Sequence, residues 1–166
     1  MLTLGIDPGL QVTGLALFDG RRVTDTLSLR GVSGAGDDYA AVTAAALSIA
    51  DRVQDYAAEH RPSLIAVETF VDQGGQRNRF RYRWQTPLVI GAICAALRDR
   101  GDLIRWQDAG DVLSNGPKGY GTVKYLAEHG RLGHGLTAPV NEHEAAAIAH
   151  AMWADAHERQ HALFGR

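Results

Sequence analysis

Leu2, Leu4 and Ile6 alternate with Thr3, Gly5 and Asp7 at the start of the chain, the period of a strand with one buried face. That strand delivers a carboxylate, Asp7, into the turn Pro8-Gly9. Residues 12–18 predict a second strand returning beside the first, with Asp19-Gly20 as the next turn, and residues 22–29 a third that closes a meander. Gly31 to Gly36 reads as a glycine-rich loop, and Asp37 and Asp38 as a helix N-terminus. From Tyr39, apolar residues recur at 42, 45, 46, 49, 53, 56 and 57, one face of a helix of about six turns that stops near His60, ahead of Pro62. Leu64-Ile65-Ala66-Val67 is a short, continuous apolar run, the pattern of a strand covered on both faces, and it ends in Glu68.

Thr86-Pro87 has the form of an N-cap followed by proline at the first helical position. The helix it predicts presents Val89, Ile93, Ala96 and Leu97 and ends at Gly101. Residues 103–106 read as a short strand, 108–113 as a helical turn and 114–119 as a loop. Tyr120, Val123 and Leu126 mark a further helix ending at Gly130, and 133–139 a second loop. The last helix begins at 140–144 and continues through an alanine-rich run. The order is three strands, helix, strand, helix, strand, then helices: an α/β fold with a mixed five-stranded sheet flanked by helices. No repeat, linker or low-complexity tract divides it, so residues 1–166 are expected to form a single domain.

Charge refines this picture. The net charge of −2 exerts no general pull on nucleic acid, but residues 73–107 hold seven arginines against Asp99 and Asp102, a local +5 on a remainder of −7. Within that region, Arg77, Arg79, Arg81 and Arg83 alternate with Asn78, Phe80, Tyr82 and Trp84. If extended, the stretch places arginine forks for phosphates on one side and aromatic faces for unstacked bases on the other. The alternative is a solvated basic loop anchored by its aromatics. The one cysteine, Cys94, lies in an apolar run and is expected to be a buried core thiol. With no disulfide framework, signal peptide or membrane-length apolar stretch, a cytoplasmic setting with no membrane contact is expected.

Asp7 ends the first predicted strand, Glu68 the fourth, and Glu144 opens the last helix. They can converge only if the first and fourth strands are neighbours and the last helix crosses their ends. Carboxylates so gathered suit hard divalent ions, and two such ions would clamp the attacking and leaving oxygens of a phosphoryl displacement. Asn141 stands three residues before Glu144, on the same face of the first turn. Asn-x-x-Glu is also close to a capping box, which needs no catalytic role. Lys118 and Lys124 are candidate phosphate contacts or simply solvated lysines.

Gly5-Ile6-Asp7-Pro8-Gly9 followed by Val12-Thr13-Gly14 resembles the opening of the RuvC family of Holliday-junction resolvases, members of the ribonuclease-H-like nuclease superfamily. Ala66-Val67-Glu68 resembles that family's second acidic motif, and Glu144 opening an alanine-rich helix its C-terminal motif. The resemblance implies a ribonuclease-H-like fold and a homodimeric endonuclease dependent on Mg²⁺, with Mn²⁺ able to substitute. Such an enzyme nicks two opposed strands of a four-way DNA junction by two-metal-ion hydrolysis, leaving 5′-phosphate and 3′-hydroxyl ends. It implies catalytic and metal-binding roles for Asp7, Glu68, Asn141 and Glu144. For DNA it points to Phe70 and loosely to Lys118 and Lys124, which join the stretch containing Arg77, Arg79, Phe80, Arg81, Tyr82 and Arg83 read above from its alternation. The helix from residue 87 to 100 corresponds to one used in the family's dimer contact.

Two departures stand out. The last acid is glutamate rather than the usual aspartate, and Asn141 occupies a position usually held by aspartate or histidine, with Glu142 and His143 as neighbours that could compensate. The alternatives are therefore a nuclease for other branched DNA or RNA, and a catalytically impaired junction-binding protein. The strand-Asp-x-Gly opening also resembles sugar-kinase and actin-like ATPases, but the second domain and adenosine loop those folds need are not evident.

Overall fold

The computed structural model describes residues 1–32, 38–69, 84–108, 110, 112, 125–133 and 141–164. Strands β1 (Thr3–Asp7), β2 (Val12–Phe18) and β3 (Val23–Arg30) form the expected antiparallel meander, followed by helix α1 (Tyr39–His60) and strand β4 (Leu64–Thr69). Helix α2 (Gln85–Ala96), a 3₁₀ helix (Arg98–Leu103), strand β5 (Ile104–Asp108) and the long helix α3 (Glu142–Phe164) complete the described order. The sheet runs β3-β2-β1-β4-β5, with β4 parallel to both β1 and β5, so the first and fourth strands are neighbours as expected. The mixed five-stranded sheet flanked by helices is the fold the sequence predicts.

Strand alternation divides the core. Leu4 and Ile6, Leu15 and Leu17, Leu29, and Ile65 and Val67 point to one face, where they pack on α1 and α2. Residues 42, 45, 46, 49, 53, 56 and 57 are all buried on α1. Asp38 caps that helix by accepting from the Ala40 and Ala41 amides (3.1 and 3.0 Å). Arg61 ends it in the left-handed region at φ 49°, donating its amide to Ala57 O.

The other face carries several small residues, Gly5, Gly14, Ala16 and Ala66, beside the larger Phe18, Val23 and Leu64. Helix α3 lies directly on this floor, across β1, β2 and β4, with Ala145, Ala147, Ile148, Ala151 and Ala154 turned inward. A Cβ on Gly5 would overlap the Ala147 carbonyl oxygen, and one on Gly14 the His143 carbonyl. The two glycines thus set how closely the helix backbone approaches the sheet. Farther along, Arg105 Nε pairs with Glu158 (2.6 Å), tying α3 to β5.

Some boundaries differ from expectation. β3 is shifted one residue toward the C-terminus, and β5 ends at Asp108 rather than 106. Helix α2 starts at Gln85, with Trp84 at the N-cap position and no side-chain cap, so Thr86 is not its cap. Pro87 fits inside the first turn because an amide there has no partner within the helix anyway. The helix stops at Ala96 and passes into the 3₁₀ segment, not continuing to Arg100. Cys94 is half-buried rather than a core thiol, because α2 is apolar around much of its circumference and buries only Val89 and Ile93 within its span. Phe70, Arg77, Arg79, Phe80, Arg81, Tyr82, Arg83, Lys118 and Lys124 lie outside the described residues. No helix among those described is long and apolar enough to cross a membrane.

Candidate active site

A single row of side chains crosses the α3 face of the sheet near its rim. Ser28 on β3 is in register with Gly14 on β2, which is in register with Asp7 on β1. Glu68 follows the last paired position of β1 and β4, Ile6 with Val67, and is in register with Gln107 on β5. Asp7 reaches the row because period-two alternation puts it on the same side as Thr3 and Gly5, and its turn is locked just beyond. Thr13 Oγ1 donates to Gly9 O (2.8 Å) and accepts from the Gly9 amide (3.2 Å). A Cβ on Gly9 would overlap the Val12 carbonyl oxygen, so this turn needs glycine.

Helix α3 answers the row with side chains from three turns. His143 Nδ1 is 2.8 Å from Asp7 Oδ2. His150, seven residues on and therefore on the same helix face, has Nε2 2.9 Å from Glu68 Oε2 and Nδ1 2.8 Å from the Gln107 carboxamide. Asn141 and Glu144 turn toward β3: Ser28 Oγ donates to Glu144 Oε1 (2.5 Å), and Asn141 Nδ2 donates to Ser28 Oγ and to Glu144 Oε1 (3.2 Å). Asn141 also caps α3, its Oδ1 accepting from the Glu144 amide (3.0 Å). The capping alternative for Asn-x-x-Glu is thus realised, in a variant where the two side chains bond each other.

Asp7 and Glu68, at the ends of adjacent strands, shift each other's titration. Burial, reinforced by the neighbouring Glu68 charge, holds the Asp7 carboxyl above the usual carboxylate range, against the opposing pull of His143. Burial is the largest single influence on Glu68 and acts to raise it, but the hydrogen bond and charge of His150, joined by Asp7 and His143, together leave that carboxyl below its ordinary value. His143 is raised, chiefly by its hydrogen bond to Asp7. Two carboxylates placed this close repel when both are ionised. Such hard donors fit a divalent cation, whose charge removes the repulsion. Among the described residues, no three His, Cys, Asp or Glu side chains form a complete ligand set, so water or phosphate oxygens would fill the remaining positions.

Of the four residues predicted for the site, Asp7 and Glu68 are brought together, whereas Asn141 and Glu144 sit two strands away on Ser28. His150 and Gln107 escaped sequence reasoning, and His143 entered it only as a neighbour of Glu144. A signal for the histidines was present: they stand at i and i+7 in a helix whose other inward residues are almost all alanine, a spacing that aims both at the sheet.

No protein-family model matches this sequence, and no curated protein does. Solved structures do match. Thermus thermophilus RuvC in complex with Holliday junction substrate has a TM-score of 0.72 at 19% identity, over 96% of each chain. A second Thermus thermophilus RuvC structure has a TM-score of 0.67 at 22% identity, again over 96% of each chain. The yeast mitochondrial Holliday junction resolvase has a TM-score of 0.63 at 10% identity, over 98% of this chain and 80% of that one. Their likeness, together with the strand order and the helix laid across it, shows that this chain has the ribonuclease-H-like fold of the RuvC resolvases.

Proposed function

We propose that this chain is a structure-selective endonuclease that resolves four-way DNA junctions by paired, symmetric nicks. The observation that carries the reading is the Asp7–Glu68 pair, two carboxylates at the ends of adjacent parallel strands, each met by a histidine of α3. In open α/β sheets that position is where ligands are met. The solved neighbour bound to a Holliday junction supports the same substrate class for this fold.

Asp7 and Glu68 would hold Mg²⁺, or Mn²⁺ in its place, with His143 beside Asp7. When bound, the cation polarises a phosphoryl oxygen and offsets the charge that builds up during hydrolysis. The chain's own groups supply the frame. His143 holds a proton at Asp7 Oδ2. The Ser28–Glu144–Asn141 cluster pins the first turn of α3 over the sheet. Glu144 and Asn141 would act on the cation only after leaving Ser28, so their first role is to place His143.

Two nicks require two sites, hence a homodimer. Helix α2 supports one: Pro87, Gly91 and Ala95 form an exposed apolar stripe at i, i+4 and i+8, flanked by half-buried Leu88, Ala92 and Cys94. Asn141 favours a second reading, a junction-binding protein with impaired catalysis, since its amide brings no charge to the site and is already engaged by Ser28 and Glu144.

The test compares nicking of a labelled four-way junction with that of a linear duplex of the same arm sequence, in Mg²⁺ and in Mn²⁺. The proposal expects cuts at symmetric positions on two opposed strands, with 5′-phosphate and 3′-hydroxyl ends. Equal cutting of the duplex, or preferred cutting of flaps, forks or RNA, would replace it with a broader nuclease. Tight junction binding without cutting would favour the second reading.

A further inference from the structure

His150 is 3% exposed at its side chain, in a helix face where alanine would pack without any polar demand. Its two ring nitrogens reach different strands, Nε2 toward Glu68 Oε2 (2.9 Å) and Nδ1 toward Gln107 (2.8 Å). Gln107 is itself buried, and it is in register with Glu68 across the parallel β4–β5 pair. One orientation of its carboxamide satisfies both ends. The nitrogen then donates to His150 Nδ1 (2.8 Å) and to the His150 carbonyl (3.1 Å), while the oxygen accepts from the Ala154 amide (3.1 Å). This fixes the imidazole tautomer. Nδ1 is an acceptor, so the proton is on Nε2 and is donated to Glu68.

Gln107 is therefore clamped by two backbone groups of α3, His150 by Gln107, and Glu68 by His150. The chain of bonds ends on one carboxylate oxygen, Oε2. We infer that His150, oriented by Gln107, is a positioning residue for Glu68: by occupying Oε2 it commits the other oxygen to the Asp7 side and so sets the affinity of that carboxylate pair for a divalent cation. This rests on the metal-dependent reading proposed above. The imidazole touches neither substrate nor the reacting phosphate in this role, and its effect passes through Glu68 alone.

Mn²⁺ binding to the whole protein without DNA, followed by electron paramagnetic resonance of the free ion, tests the inference. His150→Leu fills the space but donates nothing. His150→Gln returns an amide N–H near the position of Nε2–H. Outer-shell partners of metal ligands commonly govern affinity by about 10–100-fold, so His150→Leu should weaken Mn²⁺ binding by roughly that factor, and His150→Gln should recover most of it. Gln107→Leu, which leaves the ring unheld, should fall between. A merely structural role would lower the melting temperature without separating the Leu and Gln variants in Mn²⁺ affinity.

A folded His150→Leu protein that binds Mn²⁺ within about twofold of the native chain overturns the inference, and so does a Gln variant no better than Leu. If the Leu variant does not fold, Gln107→Leu and His150→Gln decide: affinity unchanged in Gln107→Leu overturns it. Failure of the underlying reading looks different. There the native protein itself binds no Mn²⁺, or Asp7→Asn leaves its binding intact.

Discussion

His143 Nδ1 stands 2.8 Å from Asp7 Oδ2, joining the first turn of α3 to the last residue of β1. The contact raises the imidazole above its ordinary value, and burial raises Asp7. In both cases the folded, metal-free protein keeps a proton that the unfolded chain releases sooner. A folded state that binds more protons loses stability as pH rises. The His143 contribution is complete below its unfolded value near 6.5 and is lost as pH climbs through the raised folded value. Thermal melts in EDTA should therefore show a lower melting temperature at pH 8 than at pH 6. His143→Ala should flatten this dependence. A native melting temperature that rises over the same interval would contradict the assignment.

The approach of α3 to the sheet depends on Gly5. Gly5→Ala places a methyl group against the backbone carbonyl of Ala147, which cannot swing aside as a side chain can. Overpacking of this kind costs about 1–3 kcal/mol or more, and the upper end is expected here. Gly101→Ala, where a Cβ meets open space, should stay within about 0.5 kcal/mol. Urea unfolding of the two variants checks both values, and equal stabilities would remove the close-packing argument.

Asn141 caps α3 through its Oδ1. Asn141→Ala should cost about 1 kcal/mol in metal-free stability. Asn141→Asp keeps the acceptor and places a charge at the positive end of the helix, which is favourable, but beside Glu144, which is not. Its metal-free stability should stay within about 1 kcal/mol of native on balance of these terms. The added carboxylate should enlarge the rise in melting temperature produced by Mn²⁺. Melts with and without Mn²⁺ read both effects. An aspartate variant as damaged as the alanine one would deny the capping role.

The exposed stripe on α2 gives the proposed dimer its test. Ala95→Arg puts a charge in the middle of an apolar contact. Light scattering during size-exclusion chromatography should show a native dimer and a monomeric variant that still binds Mn²⁺. On a four-way junction the variant should give single nicks in place of paired ones. A native chain that stays monomeric even with junction bound would require another source of symmetry.

Much of this was legible in the sequence, because it depends on local patterns. The alternation of residues 2–7 placed Asp7 on one sheet face, the periodicity of residues 39–60 gave α1 with its cap, and the apolar run before Glu68 gave β4. The phase of α3 was not legible. Neighbouring helical residues point about 100° apart, and whether His143 or Glu144 meets Asp7 is decided by where Gly5 and Gly14 let the helix settle. Nor could the sequence separate the capping and ligand roles of Asn141, which share the same spacing. The start of α2 was misplaced because Thr86-Pro87 is a good local cap signal, while Trp84 packs against the α1 core and stacks on Tyr39 at 4.7 Å.

The measurement that bears most directly on the central claim sets native protein beside Asp7→Asn on one labelled four-way junction, scoring cleavage in Mg²⁺ and binding in EDTA. The native chain should give paired nicks, and the variant a loss of cleavage of at least about a hundredfold with junction affinity nearly unchanged, as expected when a charged catalytic group worth about 3 kcal/mol or more is removed. An Asp7→Asn protein that cuts at the native rate would contradict that claim.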